Sequence, residues 1–181
     1  DIGREIKTGS DGSTYTVGVF EGNFYGDAAG TRDAYLLKTD TNGNYTWSTP
    51  VAKGSSTQEG ESLHVDSNGY IYVTGSTVNN LGTQTNSGGE DIFVEKYSSS
   101  GIKQWSKLIG TAGDETGEAI SGDANGNIYI TGTTTGALSG ENNNGGSDAF
   151  LVKMSASGTE QWTKLLGGSS DEATTAIAIS T

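Results

Sequence analysis

Ser62, His64 and Asp66 alternate along one short stretch of the chain, and on an extended strand residues two apart face the same side. A hydroxyl, an imidazole and a carboxylate so placed suggest a nucleophile, a base and an orienting group. The spacing works against such a relay. Cα atoms two apart on a strand stand about 6.6 Å from one another with parallel side chains, so hydrogen bonds cannot run through all three without a bulge. His64 is the single histidine, and the matching positions elsewhere in the chain hold Lys7, Ser121 and Ala178. No catalytic residue is assigned, and the chain is expected not to be an enzyme.

Carboxylates offer the second chemistry. Asp114, Glu115 and Glu118 form one cluster and Asp171 with Glu172 another, both near glycines and, upstream, asparagines. Hard oxygen ligands of this kind suit Ca²⁺, which makes these five the candidate metal ligands and Ca²⁺ the candidate cofactor. The competing expectation is an acidic rim that keeps a β-rich protein in solution. No Asp-x-Asp-x-Asp-Gly loop occurs; Asp40-Thr-Asn-Gly and its relatives place glycine too early for an EF-hand and read as turns.

The elements that hold these residues emerge when the chain is laid on itself. "DSNGYIYVTGSTVN" at 66–79 returns as "DANGNIYITGTTTG" at 123–136, and the flanking residues return with it. Tyr15, Tyr72 and Tyr129 form one column; Trp47, Trp105 and Trp162 another; Asp33, Asp91 and Asp148 a third, in steps of 57 or 58 residues. Lys38, Lys96 and Lys153 follow suit, and Ile6, Leu63, Ile120 and Ile177 make a column of four. A period of this length marks units too small to bury their own apolar faces alone. The units are 1–57, 58–114 and 115–171, with 172–181 as the first strand of a fourth.

Within the third unit the pattern predicts four strands, over 118–122, 127–133, 149–154 and 160–166, separated by "DANG", an asparagine-rich loop and "SASG". "IYI" and "AFLV" are continuous apolar runs, which predicts burial on both faces. Four-stranded antiparallel sheets packed face to face around an axis satisfy that demand. The expected fold is therefore all-β, a β-propeller-like array with one blade per unit and one extra strand. The tryptophans are expected to fill the space between blades. The aspartate column is expected to bond loop amides, and the lysine column to lay its stems over apolar surface with the charge at the rim.

"DAFLVKMSASGTEQWTKLLGGSSDEATTAIAIS" and "DANGNIYITGTT" resemble the bacterial β-propeller repeat known as SBBP, and the resemblance covers nearly the whole chain. The first unit departs from the pattern, with "KTGSDG" at the turn aspartate and "TPVAKG" in place of Leu-Gly. "GNYTW" is also similar to the tryptophan-docking motif of quinoprotein propellers, although Asp40 stands one residue closer to Gly43 than that motif requires. The SBBP resemblance implies an exported or surface-attached bacterial protein and a non-catalytic module.

Composition narrows the partners. A net charge of −12 repels nucleic acid and anionic lipid surfaces. No apolar run reaches the ~18 residues of a membrane span, so no membrane insertion is expected. There is no cysteine, which removes disulfides and thiolate metal sites. Beginning at Asp1 without a leader pattern, the chain reads as a mature or excised segment. Three blades and a lone strand leave a sticky face at either end, so the expected partners are copies of the chain or further blades, met through end faces and strand addition in a scaffold, adhesion or filament-forming module.

The alternative is a glycan-binding or hydrolytic site on an acidic loop face, in the variable loops 19–32, 76–90 and 133–147. Phe20, Phe24 and Tyr25 are aromatic in the first of these loops, and the other two have none.

Overall fold

The computed structural model describes residues 2–21 and 32–179. Residues 22–31, with Phe24, Tyr25 and Asp27, lie outside them. Among the described residues twelve strands form three antiparallel four-stranded meanders. The first sheet holds β1 (Ile2–Thr8), β2 (Thr14–Glu21), β3 (Arg32–Thr39) and β4 (Tyr45–Val51). The second holds β5 (Gln58–Val65), β6 (Ile71–Thr77), β7 (Asp91–Tyr97) and β8 (Lys103–Ile109). The third holds β9 (Glu115–Gly122), β10 (Ile128–Thr134), β11 (Asp148–Met154) and β12 (Glu160–Leu166).

The apolar runs act as expected. β6 is buried at every position, and the second sheet contributes to two separate cores. Leu63, Val73 and Phe93 pack with Val17 and Leu36 of the first sheet. Ile92 and Val94 pack with Ile120, Ile130 and Phe150 of the third. Each core thus lies between two sheets, as in a propeller whose blades bury one another. The inner strands β1, β5 and β9 are neighbours in that order, and the first and third sheets do not close on each other.

β9 begins three residues before the expected Glu118. The reason is a bulge: Ala119 pairs with Thr131 and Gly117 with Gly132, so Glu118 is the extra residue and the ladder continues beyond it to Glu115. The same bulge recurs at Arg4 in β1 and Glu61 in β5. Glycine makes it possible. A Cβ on Gly132 would overlap the Thr116 carbonyl oxygen, and one on Gly75 would overlap that of Glu59. A second bulge, opposite the Lys38–Thr39, Lys96–Tyr97 and Lys153–Met154 steps of the third strands, falls beside each tryptophan.

Candidate functional site

Each joint between sheets is a clasp built from the repeated columns. Tyr15 and Trp47 have ring centroids 6.1 Å apart, as do Tyr72 and Trp105, while Tyr129 and Trp162 are 6.2 Å apart. The lysine of each sheet stands over its tyrosine, 5.0 Å from the ring centre for Lys38 and Lys96 and 5.3 Å for Lys153, a cation–π arrangement.

The charges do not end at the rim as the stems alone suggested. Lys38 Nζ donates to the Ser99 carbonyl at 3.4 Å and Lys96 Nζ to the Ala156 carbonyl at 3.2 Å, each in the β3–β4-type turn of the next sheet. Trp105 Nε1 donates to the same Ala156 oxygen at 3.2 Å. Under the rings lie Gly101 and Gly158, both at positive φ; a Cβ on Gly101 would come within 3.0 Å of Trp47, and one on Gly158 within 3.2 Å of Trp105.

At the ends of the array the clasp is half made. In the third sheet Trp162 is 38% exposed and no further turn lies beyond Lys153 among the described residues. In the first sheet Gly43, the counterpart of Gly101 and Gly158, has nothing within 4 Å of its Cβ position. Leu166 at one end and Ile6 at the other are exposed, at 63% and 60%. By contrast Leu63 and Ile120, which share the Ile6 column, are buried.

The loop face holds the carboxylates, but not as a free rim. Asp91 and Asp148 are fully buried; Asp91 Oδ2 accepts from the Ser87 N–H at 2.8 Å and Asp148 Oδ2 from that of Asn144 at 3.0 Å. Asp33 is buried too. Asp91 Oδ1 and Asp148 Oδ1 are buried without a hydrogen-bond partner among the described residues. Burial pushes the Asp91 carboxyl up, and the charge of Glu115 beside it adds to that rise.

The five candidate metal ligands do not converge. Asp114 Oδ1 accepts from the Glu90 N–H at 3.1 Å and Asp171 Oδ1 from the Ser147 N–H at 2.9 Å. Glu115 is buried and accepts from the Thr111 N–H at 2.5 Å, the Thr111 hydroxyl at 2.7 Å and the Thr134 hydroxyl at 2.7 Å. Glu172 accepts from the Gly168 N–H at 2.8 Å. Glu118 sits away from them, on the axis. Among the described residues no three His, Asp or Glu side chains gather as metal ligands. Asp114, Glu115, Asp171 and Glu172 each cap a backbone amide of a neighbouring loop.

The bulges point Arg4, Glu61 and Glu118 into an axial cleft of about 420 Å³, with Thr175 of the terminal stretch in the same column. Arg4 pairs with Glu61 at 3.3 Å and with Glu59 at 3.6 Å, and Arg32 pairs with Glu59 at 2.6 Å. Burial, outweighing the pull of Arg4, pushes the Glu61 carboxyl above its ordinary value, and the Glu59 and Glu118 charges push the same way. Sequence reading overlooked this column. Its signal was present in the glycines that precede it, Gly3, Gly60 and Gly117, and in Gly18, Gly75 and Gly132 across the ladder.

Ser62, His64 and Asp66 share a strand edge but no relay. Ser62 Oγ donates to Glu5 Oε2 at 2.6 Å and accepts from the Ile120 N–H at 3.1 Å, which ties all three inner strands together. Burial disfavours the Glu5 charge, yet Lys7, Ser62 and the Leu63 N–H together hold its carboxyl below the ordinary value. His64 packs toward Tyr72, ring centroids 6.2 Å apart, and against the backbone of Gly122. Asp66 accepts from the Asn68 and Tyr70 N–H groups, each at 2.9 Å, and so builds its turn.

The family model of the SBBP β-propeller repeat matches residues 51–82 and 104–138. A WD repeat-containing protein of Acanthamoeba polyphaga mimivirus is 29% identical over 142 residues, covering 69% of this chain and 10% of that protein. Regulatory protein FlaEY of Caulobacter vibrioides is 27% identical over 176 residues, covering 87% of this chain and 18% of its own length. The chain thus spans less than a fifth of either relative. Among the described residues no helix is long and apolar enough to cross a membrane.

Proposed function

We propose that this chain, which carries SBBP-type β-propeller repeats, is a non-catalytic interaction module, and that it joins further blades or further copies of itself through its two end sheets. One observation carries the reading. The clasp that closes both internal joints is present but unfilled at Lys153 and Trp162, and the turn such a clasp receives stands uncovered at Gly43. Two complementary faces on one molecule give head-to-tail association, which closes as a ring or grows as a filament.

We further infer a secreted or cell-surface scaffold, adhesion or filament-forming segment. A large negative charge and an acidic loop face suit such a repeat in an aqueous compartment outside the cell. The alternative of a glycan-binding or hydrolytic site on that face is less well supported. Asp91, Asp114, Glu115, Asp148, Asp171 and Glu172 are all engaged by backbone amides there.

Multi-angle light scattering of the chain over a range of concentrations tests the reading. Mass should rise with concentration, and Trp162→Asp should hold the chain to one copy. A single copy at every concentration, with both end sheets ordered in solution, would refute it.

A further inference from the structure

Each internal joint holds a hollow beside its turns, and the two hollows are built differently. They lie on the face opposite the long acidic loops, since in a meander the first and third connections share one end and the second lies at the other. At the first joint the space is about 210 Å³, between the turns at 9–11 and 67–69. At the second, between the turns at 66–70 and 123–126, it is about 580 Å³. A further hollow of about 470 Å³ joins it at Tyr70, Lys96 and Ala156 and runs on to Gln104 and Trp105. The second groove thus has the size of a ligand cleft.

Charge separates the two joints as well. Lys38 Nζ lies 3.3 Å from Asp11 Oδ2 and, burial notwithstanding, Tyr15 and Asp11 hold its amine above the ordinary value. At the second joint the Asp11 column holds Asn68 and the Ser13 column holds Tyr70. Lys96 Nζ has the Ala156 carbonyl and the rings of Tyr70 and Tyr72, whose centres are 4.0 and 5.0 Å away, and no carboxylate at ion-pair distance among the described residues. Burial pushes its amine below the ordinary value, against the pull of Asp66, which acts without touching it. A half-buried ammonium in a cleft, with no counter-ion of its own, is a site for an anion from outside the chain.

The rest of the lining decides what carries that anion. Asp66 and Asp123 are engaged in their own turns, each accepting from two backbone N–H groups and from a tyrosine hydroxyl. The Asn68 and Asn125 amides, the His64 ring and the Tyr70 hydroxyl have no hydrogen-bond partner among the described residues. Neutral groups of this kind match hydroxyls, and the rings of Tyr70 and Trp105 match the flat apolar face of a pyranose. A peptide is less well served, because the turn amides that could bind its backbone are already taken.

We propose that the groove of the second joint binds an acidic sugar, an oligosaccharide containing uronic acid, with a carboxylate at Lys96 and a ring against Tyr70. The departures from the repeat support this. His64 and Tyr70 occur in the second unit alone, where the other units have Lys7 and Ser121, and Ser13 and Asn127, so the frame of the blades requires neither. Strands of seven or eight residues set the loop carboxylates about 20 Å away, beyond the ~8 Å over which charge reaches at physiological salt. The groove belongs to an internal joint, so it stands whether or not the end sheets find partners.

Isothermal titration calorimetry of the chain with tetragalacturonate and with tetraglucuronate tests this. At least one should bind saturably, with Kd of about 1 mM or tighter, and neutral galactotetraose about ten-fold or more weakly. Two substitutions borrow side chains that the first joint already accommodates. Asn68→Asp supplies Lys96 with the carboxylate that Lys38 has, and Tyr70→Ser removes the ring. Each should keep the β circular dichroism and a melting temperature close to that of the parent, yet weaken the acidic sugar about ten-fold or more. No saturable binding of either acidic sugar, equal binding of the neutral one, or binding unmoved by Asn68→Asp would overturn the proposal. Tetraglutamate binding as tightly as the sugars would assign the groove to acidic peptides instead. Light scattering of the same samples reads end-sheet assembly separately, so the two readings fail independently.

Discussion

Gly132 has no side chain because the Thr116 carbonyl occupies the place its Cβ would take, and that carbonyl is there because Glu118 bulges toward the axis. Gly132→Val should lower stability by about 3 kcal/mol or more, since neither backbone can move without opening the ladder. Gly168→Val, where a Cβ meets nothing within 4 Å, should cost less than about 0.5 kcal/mol. Urea unfolding of the two variants checks the contrast.

His64 makes a second residue-scale claim. Burial depresses its pKa below the ordinary 6.5, with the nearby Lys7 charge acting the same way against Asp66 and Glu5. A lowered histidine pKa means that the unfolded chain binds the proton more readily. Its contribution is therefore present above pH 6.5 and is lost as the pH falls through that value. The melting temperature should drop between pH 7 and 5, and less so in His64→Gln. The sequence already showed that the column does not demand histidine, but not that the half-buried ring packs against Gly122, since that contact joins different units.

At the scale of the element, the tyrosine, tryptophan and lysine columns could be read because the same joint is built twice within the chain. What they hold was hidden. A carbonyl acceptor, Ser99 or Ala156, leaves no mark in residue type, and a bulge arises only when two strands pair. Buried Glu95 shows the same limit. It accepts from the Ala52 N–H at 3.0 Å and pairs with Lys103 at 2.9 Å, yet it occurs in one unit alone and so stands in no column. Because the joints are equivalent, one substitution should have unequal effects along the array. Trp105→Ala, at a filled joint, should destabilise the chain by about 3 kcal/mol. Trp162→Ala, at the open end, should cost about 1 kcal/mol in dilute solution while weakening association. Calorimetry at low protein concentration separates the two.

For the whole molecule, the period announced mutually buried sheets, and the structure places one core in each gap between them. The candidate calcium ligands were less legible: acidic residues near glycine look alike whether they await a cation or cap backbone amides, and the amides that Asp114 and Asp171 cap belong to loops distant in sequence. The middle sheet, covered on both sides, should be the most stable part, and the outer two should depend on company.

Hydrogen exchange followed by mass spectrometry at low and high protein concentration tests this most directly. The account predicts strong protection of β6 and β7 at both concentrations, with protection at the ends of the array, in β1, β2 and residues 171–179, rising as concentration rises. Uniform protection across all three sheets that does not change with concentration would contradict it.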